Sequence, residues 1–77
     1  RTRGWSFDRE ERYDGMSCIG SAIYDEQGTP CGGVSISGPS TRFGDVRVPE
    51  LGSTVTEAAR EITQLIGGRF PENHSKA

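Results

Sequence analysis

The sequence has no apolar run near the ~18–20 residues that a membrane-spanning helix requires. Its first residues show no signal-peptide pattern of basic, apolar and small-residue segments. It has no surplus of positive charge: nine Lys and Arg stand against eleven Asp and Glu, a formal net charge of −2. That balance carries no electrostatic footprint for nucleic acid. Histidine is nearly absent. The only one, His74, lies close to the C-terminus, so no imidazole is at hand to activate a cysteine or serine nucleophile. Two cysteines, Cys18 and Cys31, lack the paired spacing of a zinc site. No metal, no cofactor and no enzymatic chemistry are therefore expected. Hydrophobic residues make up only 31% of the 77, and eleven are glycine, which allows one small domain with a thin core. The chain opens on Arg1 just before an apparent strand. It reads as the C-terminal part of something larger, or as a subunit that borrows core from a partner.

What is present is organised around Cys18–Pro39. Asp25-Glu26-Gln27-Gly28 is a turn sequence, because Asp bonds its own backbone and Gly tolerates φ > 0. The runs on either side, 17–24 and 31–37, are predicted to form an antiparallel hairpin. With Glu26 and Gln27 as the loop, Cys18 falls opposite Ser35, Met16 opposite Ser37 and Ala22 opposite Cys31. Side chains alternate along a strand, and directly opposed residues share a face. Met16, Cys18, Gly20, Ala22, Cys31, Gly33, Ser35 and Ser37 then lie on one side. Ile19, Ser21, Ile23, Val34 and Ile36 lie on the other. The first face is small and polar, and the second is a core face. Cys18 and Cys31 stand too far apart along this hairpin to bridge, and two free thiols point to a reducing, cytoplasmic setting.

The flanking segments complete an α+β pattern. Gly4-Trp5-Ser6-Phe7-Asp8 alternates as a short strand does. Arg9 to Gly15 is charged and turns at Asp14-Gly15, so Glu10-Glu11 reads as a solvated pair rather than an acid/base couple. Val48, Leu51, Val55, Ala59, Ile62 and Ile66 recur at spacings of three and four, the stripe of an amphipathic helix. Asp45 is the predicted N-cap, and Gly67-Gly68 the C-cap signal. Gly52 falls inside the helix, where it weakens it by about 1 kcal/mol relative to Ala. The predicted fold class is α/β (α+β): an antiparallel sheet with a hairpin packed on a long C-terminal helix. Residues 1–68 form the domain and 69–77 a flexible tail. The helix stripe is expected to cover Ile19, Ile23, Val34 and Ile36, leaving the Cys18/Ser35/Ser37 face free.

At this level of detail the residues resemble a known family. Gly4-Trp5-Ser6-Phe7-Asp8, Glu10-Glu11, Gly15-Met16-Ser17-Cys18-Ile19, Ala22-Ile23-Tyr24-Asp25, Gly28 and Ser35-Ile36-Ser37-Gly38-Pro39 resemble the C-terminal, GAF-like effector-binding domain of IclR-type bacterial transcription regulators. The resemblance runs from about Arg3 to Gly68. Departures are Gly32-Gly33, where larger residues are usual, and the Gly44–Pro49 approach to the helix. The resemblance implies a pocket lined by Asp8, Met16, Cys18, Ser35 and Ser37, completed by backbone donors from a Gly-rich turn outside this chain. It implies a small organic acid as effector, glyoxylate- or pyruvate-like, and a homo-oligomer, a dimer or tetramer. DNA would be bound only through a winged helix-turn-helix domain absent from the chain. A different class of function remains open on the residues alone: a structural dimerisation module whose serine face is only interface.

Overall fold

The structure, a computed structural model, describes residues 4–10 and 14–71. Arg1, Arg3, Glu11 and His74, named above, and residues 72–77 of the predicted tail lie outside the described residues. Three strands form one antiparallel sheet in the order β1-β2-β3: β1 is Ser6–Arg9, β2 Met16–Tyr24 and β3 Pro30–Pro39. A short 3-10 turn, Ser40–Arg42, leads to one long helix, α1, Arg47–Leu65. The fold is α+β, as the alternation of strand and helix signals predicts. Both hairpin strands extend slightly beyond their predicted ends.

The hairpin register differs from the predicted one by two residues. Cys18 pairs with Ser37 rather than Ser35, Met16 with Pro39 rather than Ser37, and Ala22 with Gly33 rather than Cys31. Two local causes add up. Asp25 N–H donates to Thr29 O at 2.9 Å, so the loop holds three residues, and Gly28 takes φ 77° at its end. Asp25 Oδ1 also accepts the Gln27 and Thr29 amides, both at 2.9 Å, which fixes this wider turn. One extra loop residue alone would exchange the faces of β3. A register irregularity next to Ile23/Tyr24 skips Cys31 and restores the parity. The face assignments of Cys18, Ser35 and Ser37 therefore survive although the partners change.

On the core face Ile19, Phe43, Val55 and Ala59 are buried. Trp5, Phe7, Ile36, Val48 and Leu51 pack around them. Phe43 stacks on Phe7 with centroids 6.0 Å apart, and Arg9 lies over the Phe7 ring while its Nη2 donates to Phe43 O at 3.1 Å. The helix lies chiefly over β2. Its buried line is Gly52, Val55, Ala59 and Thr63, rotated from the predicted stripe. Ile62 falls to the flank, and Ile66 lies beyond the helix, 56% exposed, so neither anchors the sheet as predicted. Ile23 and Val34 are half-buried rather than central.

The helix ends are set by backbone bonds. Val46, not Asp45, is the N-cap, and no side chain caps it. Arg47 and Val48 N–H both donate to Gly44 O, so the first turn is already closed from Gly44. Asp45 is instead exposed and 3.9 Å from Arg9 Nη2. At the other end Gly67 N–H donates to Gln64 O and Gly68 N–H to Thr63 O, a Schellman motif with Gly67 at φ 79°. Thr63 Oγ1 accepts the Tyr24 N–H at 3.1 Å and so ties this end of the helix to β2. Arg69 N–H donates to Asp25 O, and Phe70 meets Tyr24 edge-on at 5.3 Å, so packed chain continues past Gly68.

Candidate functional site

The sheet face turned away from the helix carries the candidate site. Its residues come in rows, because antiparallel partners share a face. β1 sets Asp8 opposite Cys18, and β3 sets Ser37 opposite Cys18 from the other side. The first row is therefore Asp8–Cys18–Ser37. The next row is Ser6–Gly20–Ser35, with both serines opposite the glycine. Met16 stands at the end of β2 beyond the first row, 41% exposed. These side chains surround a concavity of about 470 Å³ that is open to solvent. Its lining is Ser6, Asp8, Met16, Ser17, Cys18, Gly20, Ser35 and Ser37.

All five sequence-predicted residues, Asp8, Met16, Cys18, Ser35 and Ser37, thus border one concavity. Sequence reasoning missed Ser6 as a lining residue. The signal was available: in the alternating Trp5-Ser6-Phe7-Asp8 run, Ser6 must share the face of Asp8. It also missed the part played by Gly20. A side chain there would project into the middle of the second row, so glycine keeps the floor open. Ser17 borders the cavity as well, but its hydroxyl is engaged with Ser40 Oγ at 2.7 Å.

The chemistry of this lining is specific. It contains hydroxyls, one thiol, one carboxylate and one thioether, and no Lys or Arg. Cys18 is half-buried and Cys31 exposed, and both are free thiols. Among the described residues, no group of three or more His, Cys, Asp or Glu is placed to hold a metal ion. The arrangement can hydrogen-bond a small polar ligand from several directions. It offers no nucleophile–histidine pair.

The loop that borders this face is held by Glu10, which adopts φ 58°. Its N–H donates to Met16 O at 2.8 Å, across the turn before β2. Hydrogen bonds from the Ser40 hydroxyl and then the Gly15 N–H, with a smaller contribution from Arg9, hold its carboxyl below the usual glutamate value. Ser40 N–H donates in turn to Gly15 O. Glu10, Gly15 and Ser40 therefore fasten the β1–β2 turn to the end of β3, beside Met16.

The family model described as bacterial transcriptional regulator IclR C-terminal matches residues 1–64. The chain belongs to the IclR family. It is 52% identical over 68 residues to the acetate operon repressor of Salmonella typhimurium, covering 88% of this chain and 25% of that protein. It is 47% identical, with the same coverage, to the transcriptional repressor IclR of Escherichia coli. The chain thus spans about a quarter of the length of the curated relatives it matches. Among solved structures it resembles the Agobacterium tumefaciens repressor BlcR, with TM-score 0.82 and 33% identity over 87% of this chain and 27% of that one. The Thermotoga maritima IclR structure matches with TM-score 0.80 and 38% identity, over 84% of this chain and 26% of that one. All three strands and all but the last residue of the helix fall within the matched residues 1–64.

Proposed function

We propose that this chain is the C-terminal part of an effector-binding domain, and that the Asp8/Met16/Cys18/Ser35/Ser37 face binds a small organic acid. The observation that carries the reading is the cation-free, hydroxyl-rich concavity in which all five residues meet. Its volume of about 470 Å³ lies within the ~300–1,000 Å³ of small-molecule sites. With no basic side chain in the lining, a carboxylate is held by Ser35 and Ser37 hydroxyls and by backbone N–H groups, as in other preorganised anion sites. Asp8 repels that carboxylate, so it faces the other end of the ligand and accepts a hydrogen from its hydroxyl or hydrate. Met16 is the apolar wall that limits ligand size. Glyoxylate and pyruvate have the required size and polarity.

The protein senses its effector and releases it unchanged. In this reading it acts in the cytoplasm as an oligomer, and effector occupancy changes DNA binding by a helix-turn-helix domain outside the chain. Two of its relatives are repressors by name, which supports transcriptional control. Titration with glyoxylate and pyruvate tests the proposal. Saturable stabilisation that follows RT ln(1 + [L]/Kd) is expected. Stability that ignores every small acid but rises with protein concentration would favour a dimerisation module instead.

A further inference from the structure

The first row of the cavity places a thiol between a carboxylate and a hydroxyl. Cys18 has Asp8 directly opposite on β1 and Ser37 directly opposite on β3. Directly opposed side chains have their Cβ atoms about 4.5–5.5 Å apart, within reach of one small ligand. All three border the cavity, and Cys18 is half-buried and not in a disulfide. As a hydrogen-bond donor a thiol is weak, and a serine would serve better. What sulfur adds is nucleophilicity. A carbonyl joined to a carboxylate is an electrophile of the size this cavity accepts.

We propose that Cys18 captures a 2-oxo acid as a reversible hemithioacetal, with Asp8 moving the proton; this rests on the reading of the face as an effector pocket. In the step, Cys18 Sγ bonds to the ligand's carbonyl carbon as the carbon–oxygen π bond breaks. The thiol proton passes to the Asp8 carboxylate and from there to the former carbonyl oxygen. Nothing is oxidised or reduced, and no group leaves. The charge that develops on that oxygen is neutralised by the same proton as Asp8 delivers it. The product hydroxyl then donates a hydrogen bond to Asp8. Hemithioacetals revert, so the sensor empties when effector falls. The bond also gives selectivity: acetate and oxalate, which lack an electrophilic ketone or aldehyde carbon, are denied it.

The test uses the intact protein and glyoxylate labelled with carbon-13 at its aldehyde carbon. Binding is followed by calorimetry and the labelled carbon by NMR. A bound resonance upfield of the free hydrate, where a sulfur-substituted carbon falls, is expected in the wild type and in Cys31→Ser. It is lost in Cys18→Ser and Cys18→Ala, whose far-UV circular dichroism and cooperative thermal melts report that they fold. Glyoxylate that binds the wild type yet keeps its labelled carbon as hydrate or free aldehyde overturns the capture and leaves the pocket standing. No binding of glyoxylate or pyruvate to the wild type overturns the pocket, and the capture with it.

Discussion

Replacing Gly52 by Ala sets helix propensity against packing, and the two give opposite signs. Gly52 sits in the interior of α1 and is buried. Propensity alone says that alanine there stabilises by about 0.8–1 kcal/mol. The structure says otherwise, because a Cβ built on Gly52 overlaps Cε2, Cδ2 and Nε1 of the Trp5 indole. These are atoms of a rigid ring, and Trp5 itself packs on the Ile19/Phe43/Val55 core. Relief requires the indole to leave its place or the helix to rise from the sheet. Overpacking of this kind costs roughly 1–3 kcal/mol. Set against the propensity gain, the expected net change is a destabilisation of up to about 2 kcal/mol. Denaturant melts of the wild type and Gly52→Ala measure it. Trp5→Ala should remove the clash, so Gly52→Ala made on that background should stabilise. A stabilising Gly52→Ala in the wild type would refute the packing argument.

Three further outcomes follow from the same contacts. Ile19→Ala should cost about 2–5 kcal/mol, since Ile19 is fully buried, and the half-buried Ile36→Ala clearly less; equal costs in denaturant melts would mean the helix is centred on β3 rather than β2. Thr63→Val keeps the shape but orphans the Tyr24 N–H, at a cost of about 1–3 kcal/mol, and amide exchange at Tyr24 should speed up. Glu10 has a folded-state pKa depressed by Ser40 and Gly15, so its stabilisation is present above the unfolded glutamate value and is lost as pH falls through the depressed one. Glu10→Gln should therefore flatten stability against pH in that acid window, and an unchanged acid profile would contradict it.

Much of the architecture was legible because period-2 alternation in β2 and β3 and the three-four spacing of α1 are strong signals. The faces of Cys18, Ser35 and Ser37 were read correctly, although the loop is one residue longer than expected. The irregularity that skips Cys31 compensates, and nothing in the local sequence announces it. Phe43 was missed because it is buried from a loop, where no periodicity marks a core residue. Thr63 was passed over in favour of Ile62, since a hydrophobic stripe cannot show that a hydroxyl is needed to meet the Tyr24 N–H. Gly52 looked like a weak point of the helix, because only the fold brings Trp5 onto it. Met16, Cys18, Ser35 and Ser37 were accessible through face parity in the hairpin; Asp8 came only from the family resemblance, and the alternation of Trp5-Ser6-Phe7-Asp8 placed Ser6 on its face.

The central claim is that the serine face holds an acid through hydroxyls. Calorimetry of glyoxylate and pyruvate binding to Ser35→Ala and Ser37→Ala tests it most directly. One neutral hydrogen bond is worth about 0.5–1.5 kcal/mol, so each variant should bind about two- to twelvefold more weakly. Effector-free operator affinity of the intact protein should stay the same in both. Undiminished effector affinity in both variants would contradict the account and leave the face without a ligand.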